Sequence, residues 1–131
     1  MAYLTPFSVV SSSIGLGEPP FDGERRITVS ALLTVLRSVI RAVPVDEVWY
    51  CQTYPDVTEA LEAGDIKSAK EHFVENGYFE GRSPSEPTVD ELWYLATNPD
   101  VVAGIEAGVF ASAQDHFDRH GYREGRLPSA A

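Results

Sequence analysis

Shifted by 44 residues against itself, this chain aligns residues 45–85 with 89–129 without a gap, and 23 of the 41 paired positions are identical. A match this dense at this period marks an internal repeat. Whatever one copy folds into, the other must fold into as well. Side chains present in both copies are therefore first of all parts of a shared scaffold. Those residues are Trp49 and Tyr50 with Trp93 and Tyr94, then Pro55 and Asp56 with Pro99 and Asp100, then Gly64 with Gly108. Farther along come His72 and Phe73 with His116 and Phe117, then Gly77 with Gly121. Each copy closes on the same tripeptide, Glu80, Gly81 and Arg82 in one and Glu124, Gly125 and Arg126 in the other.

Each copy is punctuated for three short helices. In the second, Thr88 with Glu91 fits a capping box, and a helix starting there should carry Leu92, Trp93 and Leu95 inward. It must stop near Thr97, because Asn98 precedes Pro99. Asn98, Pro99 and Asp100 then open a second helix as cap, first-turn proline and dipole-facing acid. Val101, Val102 and Ile105 give it an apolar face, and Gly108 ends it. A third helix is predicted from about Phe110 to His120, with Phe110, Ala113 and Phe117 on one side and Gly121 as its stop. Tyr122 to Arg126 makes a closing turn through Gly125. The first copy repeats the pattern through Trp49, Val57, Leu61, Ile66, Ala69 and Phe73, with glycines at 64, 77 and 81.

None of these helices is long enough to stand alone, and two copies are fewer than a stacked array ordinarily needs. The missing layer is expected from residues 27–43, where Val29, Leu32, Leu36, Val39 and Val43 fall at spacings of three and four. Leu33 and Ile40 widen that stripe, and Pro44 ends it. If part of the stripe stays bare, those five residues form an interface and the chain should pair with a second copy of itself. Residues 1–26 hold Pro6, Gly15, Gly17, Pro19, Pro20 and Gly23 and are expected as an extended N-terminal arm. The predicted fold is thus all-α: one long apolar helix plus two tandem three-short-helix repeats at 45–85 and 89–129, behind that arm. Residues 27–131 are expected as one compact domain.

Composition removes several functional classes. The formal net charge of -10 repels phosphate backbones, and the only basic cluster is Arg25 and Arg26 with Arg37 and Arg41 nearby, so no nucleic-acid partner is expected. No apolar run approaches the roughly 20 residues of a membrane span. The single cysteine, Cys51, cannot form an intrachain disulfide. Together with the lack of a signal-like N-terminus, this leads to a cytoplasmic expectation.

Trp93-Tyr94-Leu95-Ala96-Thr97-Asn98-Pro99-Asp100-Val101, followed by Gly108, Ser112-Ala113, His116-Phe117, Gly121 and Glu124-Gly125-Arg126, resembles a short bacterial tandem repeat. Its usual form is Y-L-x-x-N-P-D-V, a glycine, S-A-x-x-H-[YF] and G-x-x-E-G-R. Such repeats occur as appendages of glycosyltransferases and of large secreted or calcium-binding-repeat proteins. The first copy departs from the pattern, with Cys51 for the leucine and Tyr54 for the asparagine. The resemblance implies an accessory or interaction role and transfers no catalytic residue.

The candidate chemistry is thin. His116 and His120 sit one turn apart and could share a metal, but Asn76 replaces His120 in the first copy, so the pair does not belong to the repeat. The structural alternative, that His72 and His116 each cap a turn or bond a carbonyl, carries more weight. Glu80 with Arg82 and Glu124 with Arg126 could bind a ligand. Alternatively, each arginine stacks on Trp49 or Trp93 while the glutamate pairs locally. Because these residues recur, packing is favoured. Cys51 is expected as a small buried hydrophobe. Asp56 and Asp100 are expected as helix-start acids.

The expected function is a non-catalytic protein-interaction module, an accessory subunit or adaptor of a larger bacterial assembly, with no catalytic residues and no cofactor. Two other classes stay open. One is a small metal- or ligand-binding protein, with hydrolase activity as one form of it, using His116 and His120. The other is an acidic decoy that occupies a basic protein.

Overall fold

The computed structural model describes residues 4–16 and 23–130, and every regular element among them is helical. The chain divides into two compact units, residues 1–85 and 86–131. The boundary falls between the two aligned segments, inside the span expected as one domain.

The first unit begins with a helix where an arm was expected. α1 (Phe7–Ile14) starts behind Pro6 and ends at Gly15, whose φ of 61° allows a left-handed closure. Within its serine run, Ser12 and Ser13 donate to the carbonyls of Ser8 and Val9, four residues back. The rest of the expected arm, residues 1–3 and 17–22, lies outside the described residues.

α1 packs against α2 (Val29–Ile40). With 12 residues, α2 is shorter than the long helix predicted over 27–43. Thr28 caps it by accepting from the Ala31 amide, so Ile27 lies outside. At the far end, ahead of Pro44, the chain tightens into three-residue bonds from Ala42 to Val39 and from Val43 to Ile40.

The apolar stripe of α2 is split. Leu36, Ile40 and Val43 join the core, whereas Val29, Leu32 and Val39 are 73%, 43% and 51% exposed. α2 rests on the turn at Phe73–Gly77, where Val74 is buried. Arg37 and Arg41 reach Glu75 at 3.0 and 3.6 Å, and the Arg37 guanidinium lies over the Phe79 ring. The aligned positions in the second unit are Asp118, Arg119 and Arg123, which could not accept an apolar helix without burying charge.

The remaining elements of this unit are α3 (Glu47–Thr53), α4 (Pro55–Ala63) and α5 (Ala69–His72). The second unit holds α6 (Glu91–Thr97), α7 (Pro99–Glu106) and α8 (Ala113–His116). Tyr50, Val57, Ala69 and Phe73 form one core, and Tyr94, Val101, Ala113 and Phe117 the other. Each large side chain buried this fully contributes about 1.5–3 kcal/mol. Each unit is also tied shut, since the Asp46 amide donates to Pro84 O and the Asp90 amide to Pro128 O.

Several local expectations need correction. The cap of α6 is Asp90, which accepts from the Trp93 amide, and not Thr88. With the cap two places later, Leu92 is 87% exposed and Tyr94 is fully buried. Asn98 does not cap α7: its Nδ2 donates backward to Tyr94 O. The third helix begins at Ala113, not Phe110, because the Ser112 hydroxyl accepts from Asp115 N while the Asp115 carboxylate accepts from Ala111 N. It then widens over Phe117–Gly121, where Tyr122 N reaches back five residues to Phe117 O.

Val74→Asp places the second unit's residue beneath α2 and should release that helix. We expect a loss of about 3 kcal/mol from the unpaired buried charge. Hydrogen exchange should show faster exchange across Val29–Ile40, while α3 to α5 keep their protection.

Candidate functional site

The repeated polar residues form two linked clusters in each unit. The first lies under the wide turn. The Tyr50 hydroxyl is 3.0 Å from His72 Nδ1, and the Tyr94 hydroxyl is 2.9 Å from His116 Nδ1. Burial pushes the Tyr50 hydroxyl up to about 12, and it raises Tyr94 as well. Both phenols thus stay protonated, and each hydroxyl is hydrogen-bonded to the Nδ1 of its histidine. The partner of histidine Nδ1 is a tyrosine hydroxyl, where a turn cap or a bond to a carbonyl was expected.

Gly77 and Gly121 complete this cluster. Both were expected as left-handed helix stops, but neither has a positive φ. They are glycines because a Cβ at either site would overlap the tyrosine hydroxyl, Tyr50 Oη or Tyr94 Oη. The true left-handed closures come four residues later. At Gly81 (φ 76°) the Gly81 and Arg82 amides donate back to Tyr78 O and Gly77 O, and Gly125 (φ 74°) with Arg126 repeats this to Tyr122 O and Gly121 O.

That closure aims the arginine of the second cluster. Arg82 makes a two-pronged contact with Asp56 at 2.9 and 2.8 Å and reaches Glu80 at 2.8 Å. Arg126 does the same with Asp100 at 2.9 and 2.7 Å and with Glu124 at 2.7 Å. Asp56 and Asp100 open their helices as expected, and each also anchors an arginine. Arg82 lies over the Tyr54 ring, 4.8 Å from its centroid. In the second unit Asn98 stands at that position, and its Oδ1 accepts from Arg126 Nη1 at 2.9 Å. The two departures of the first copy are thus accommodated, Tyr54 by a cation–π contact and Cys51 by packing against the core.

Hydrogen bonds from the arginines hold the carboxyls of Asp56 and Asp100 below their ordinary value of 3.8. Burial, followed by the charge of Arg126, pushes His116 below its ordinary 6.5.

His116 and His120 do come near each other, with ring centroids 5.8 Å apart. Phe110 packs edge-on against both rings, at 4.7 and 5.7 Å, and His116 Nδ1 is already bonded to Tyr94. Among the described residues, no group of three or more His, Cys, Asp or Glu side chains is placed to hold a metal ion. Gly104 makes room for Phe110, since a Cβ there would strike the ring. The first unit has the converse pair, Ala60 and Ile66.

The sequence reading took Tyr50 and Tyr94 as recurring residues without seeing that they are the centre of each core. The signal was the constant 22-residue separation of tyrosine and histidine in both copies, with glycine five residues beyond. Comparison with protein-family models, curated proteins and solved structures finds no match to this chain.

Gly121→Ala should cost about 1–3 kcal/mol, measured by thermal or urea unfolding, because the methyl group meets the Tyr94 hydroxyl. Removing that hydroxyl in Gly121→Ala/Tyr94→Phe should recover part of the loss, a coupling that a double-mutant cycle measures.

The pH dependence has two parts. The unfolded chain protonates at His116 below about 6.5 while the folded unit resists, so stability present above that pH falls as pH drops toward the lower folded value. Asp56 and Asp100 stabilise the fold above 3.8, and their contribution is lost as pH falls through their depressed values. Urea unfolding from about pH 7.5 to 5.5 should show the first decline, and His116→Asn should flatten it while leaving the acid limb intact.

Proposed function

We propose that this chain is a non-catalytic protein-binding module, with residues 45–85 and 89–129 as two copies of one structural repeat. Its role is that of an accessory subunit or adaptor within a larger bacterial assembly. The observation that carries this reading is a contrast. The side chains suited to chemistry, His72 and His116, Asp56 and Asp100, Arg82 and Arg126, are bonded within the fold in both units and in nearly the same pairs. The apolar side chains Val29, Leu32 and Val39 are instead left exposed. A reaction centre needs its groups once and accessible, whereas a scaffold needs them in every copy.

The α2 face also supports pairing of the chain with a second copy. Residues 27–45 contain no acidic side chain, in a protein of net charge -10, and their two arginines, Arg37 and Arg41, are paired with Glu75, so copies can approach there with less repulsion than elsewhere. Among the described residues no helix is long and apolar enough to cross a membrane.

Affinity purification from the source organism, followed by mass spectrometry and sedimentation, should return the chain bound to a second protein in fixed stoichiometry. Leu32→Ser/Val39→Ser should weaken its pairing with itself by roughly tenfold or more. Recovery of the wild-type chain alone and monomeric would overturn this reading.

A further inference from the structure

The outer surface of α3 and α4 has a shallow hollow lined by Glu47, Val48, Cys51, Gln52 and Thr58. Val48 is 70% exposed there. The aligned positions on α6 and α7 are Glu91, Leu92, Leu95, Ala96 and Val102, and Leu92 is 87% exposed. A single exposed leucine needs no explanation. The same outward position, held by valine in one unit and leucine in the other and backed by further apolar groups, does.

The helices of these faces carry charge of one sign, and the cation beside them is Lys70 of α5, whose backbone amide donates to Glu47 Oε1 at 3.3 Å. α3, α4, α6 and α7 contain no lysine or arginine. Glu47 and Glu91 sit at one end of each face. Glu62 follows Thr58 by one helical turn and Glu106 follows Val102 likewise, and both are exposed. The nearest arginines of the closing loops are already committed, Arg82 to Asp56 and Glu80 and Arg126 to Asp100 and Glu124. Across residues 45–131, six lysines and arginines face 17 aspartates and glutamates.

We infer that each of these faces docks an amphipathic helix of a partner protein, one whose apolar stripe is flanked by lysine or arginine. The inference rests on the protein-binding reading and names the chemistry of the partner. The stripe of such a helix covers Val48 or Leu92, and its flanking cations meet Glu47 and Glu62 or Glu91 and Glu106. Because both units carry the face, one chain accepts two such helices or one tandem pair.

The test uses the full chain and two synthetic helices of identical apolar stripe, one flanked by lysine and one by glutamate. Titration calorimetry should show the lysine helix binding at two sites per chain and the glutamate helix binding at least tenfold more weakly. Val48→Ser/Leu92→Ser leaves the charge unchanged and, being at exposed positions, should leave the circular dichroism unchanged. It should cut affinity for the lysine helix by roughly tenfold or more. Glu62→Lys/Glu106→Lys should shift preference toward the glutamate helix.

Equal binding of wild type and Val48→Ser/Leu92→Ser would reduce the effect to general charge attraction and overturn the site. Loss confined to Leu32→Ser/Val39→Ser would also overturn it, while leaving the protein-binding reading standing on α2. Self-association abolished by Val48→Ser/Leu92→Ser would assign the face to a second copy and overturn the foreign helix.

Discussion

Each unit is organised around one hydrogen bond between a buried tyrosine hydroxyl and histidine Nδ1. Tyr50 and Tyr94 have no exposed surface, so their hydroxyls must find a partner inside or forfeit the stabilisation their rings bring. The histidine that supplies it comes from α5 or α8, 22 residues along the chain. The bond therefore fixes how α3 meets α5 and how α6 meets α8. It also sets what may pass over it: the backbone of the wide turn runs so close that only glycine fits at 77 and 121. The tyrosine, the histidine and the glycine are one constraint written at three places in each copy.

The arginine clamp depends on that arrangement. The wide turn delivers the chain to Gly81 or Gly125, whose left-handed closure points the following arginine back at the second helix. There it finds Asp56 or Asp100, and the clamp joins the end of each unit to its middle. Both arginines keep less than a quarter of their side-chain surface exposed, whereas both aspartates are mostly open to solvent. Such pairs add little stability through charge alone. Their two-pronged geometry fixes the orientation of the closing loop instead. The third contact of the arginine is adjustable, an aromatic face at Tyr54 in one unit and an amide oxygen at Asn98 in the other.

Much of this was legible in the sequence, and the errors have physical causes. The all-α class followed from proline, glycine and polar caps placed at intervals too short for anything but brief helices. The helix boundaries at Thr53 and Thr97 followed from the prolines two residues later. The face of α6 did not, because Thr88 and Asp90 are both competent caps and the choice between them turns the helix by two residues, just over half a turn. Asn98 was misassigned because its side chain serves Tyr94 O and Arg126 together, which no local rule anticipates. Gly77 and Gly121 resembled helix stops because a glycine required by a close approach and one required by positive φ look alike in sequence. α1 was hidden by its serines, whose bonds to carbonyls four residues back exist only once the helix has formed.

The correspondence between units is informative where it fails. Where the first unit has Val74, Glu75 and Phe79, the second has Asp118, Arg119 and Arg123, so one wide turn accepts α2 and the other has no chemistry to do so. Elsewhere the exchange is complementary, as with Ala60 and Ile66 against Gly104 and Phe110, and the core stays filled. Changes of the second kind preserve the scaffold, whereas changes of the first kind assign each unit a different neighbour. At Val48 and Leu92 neither kind of change has removed an apolar group from solvent. The aligned position stays apolar and exposed in both units, and the proposed docking of a partner helix rests on that shared feature.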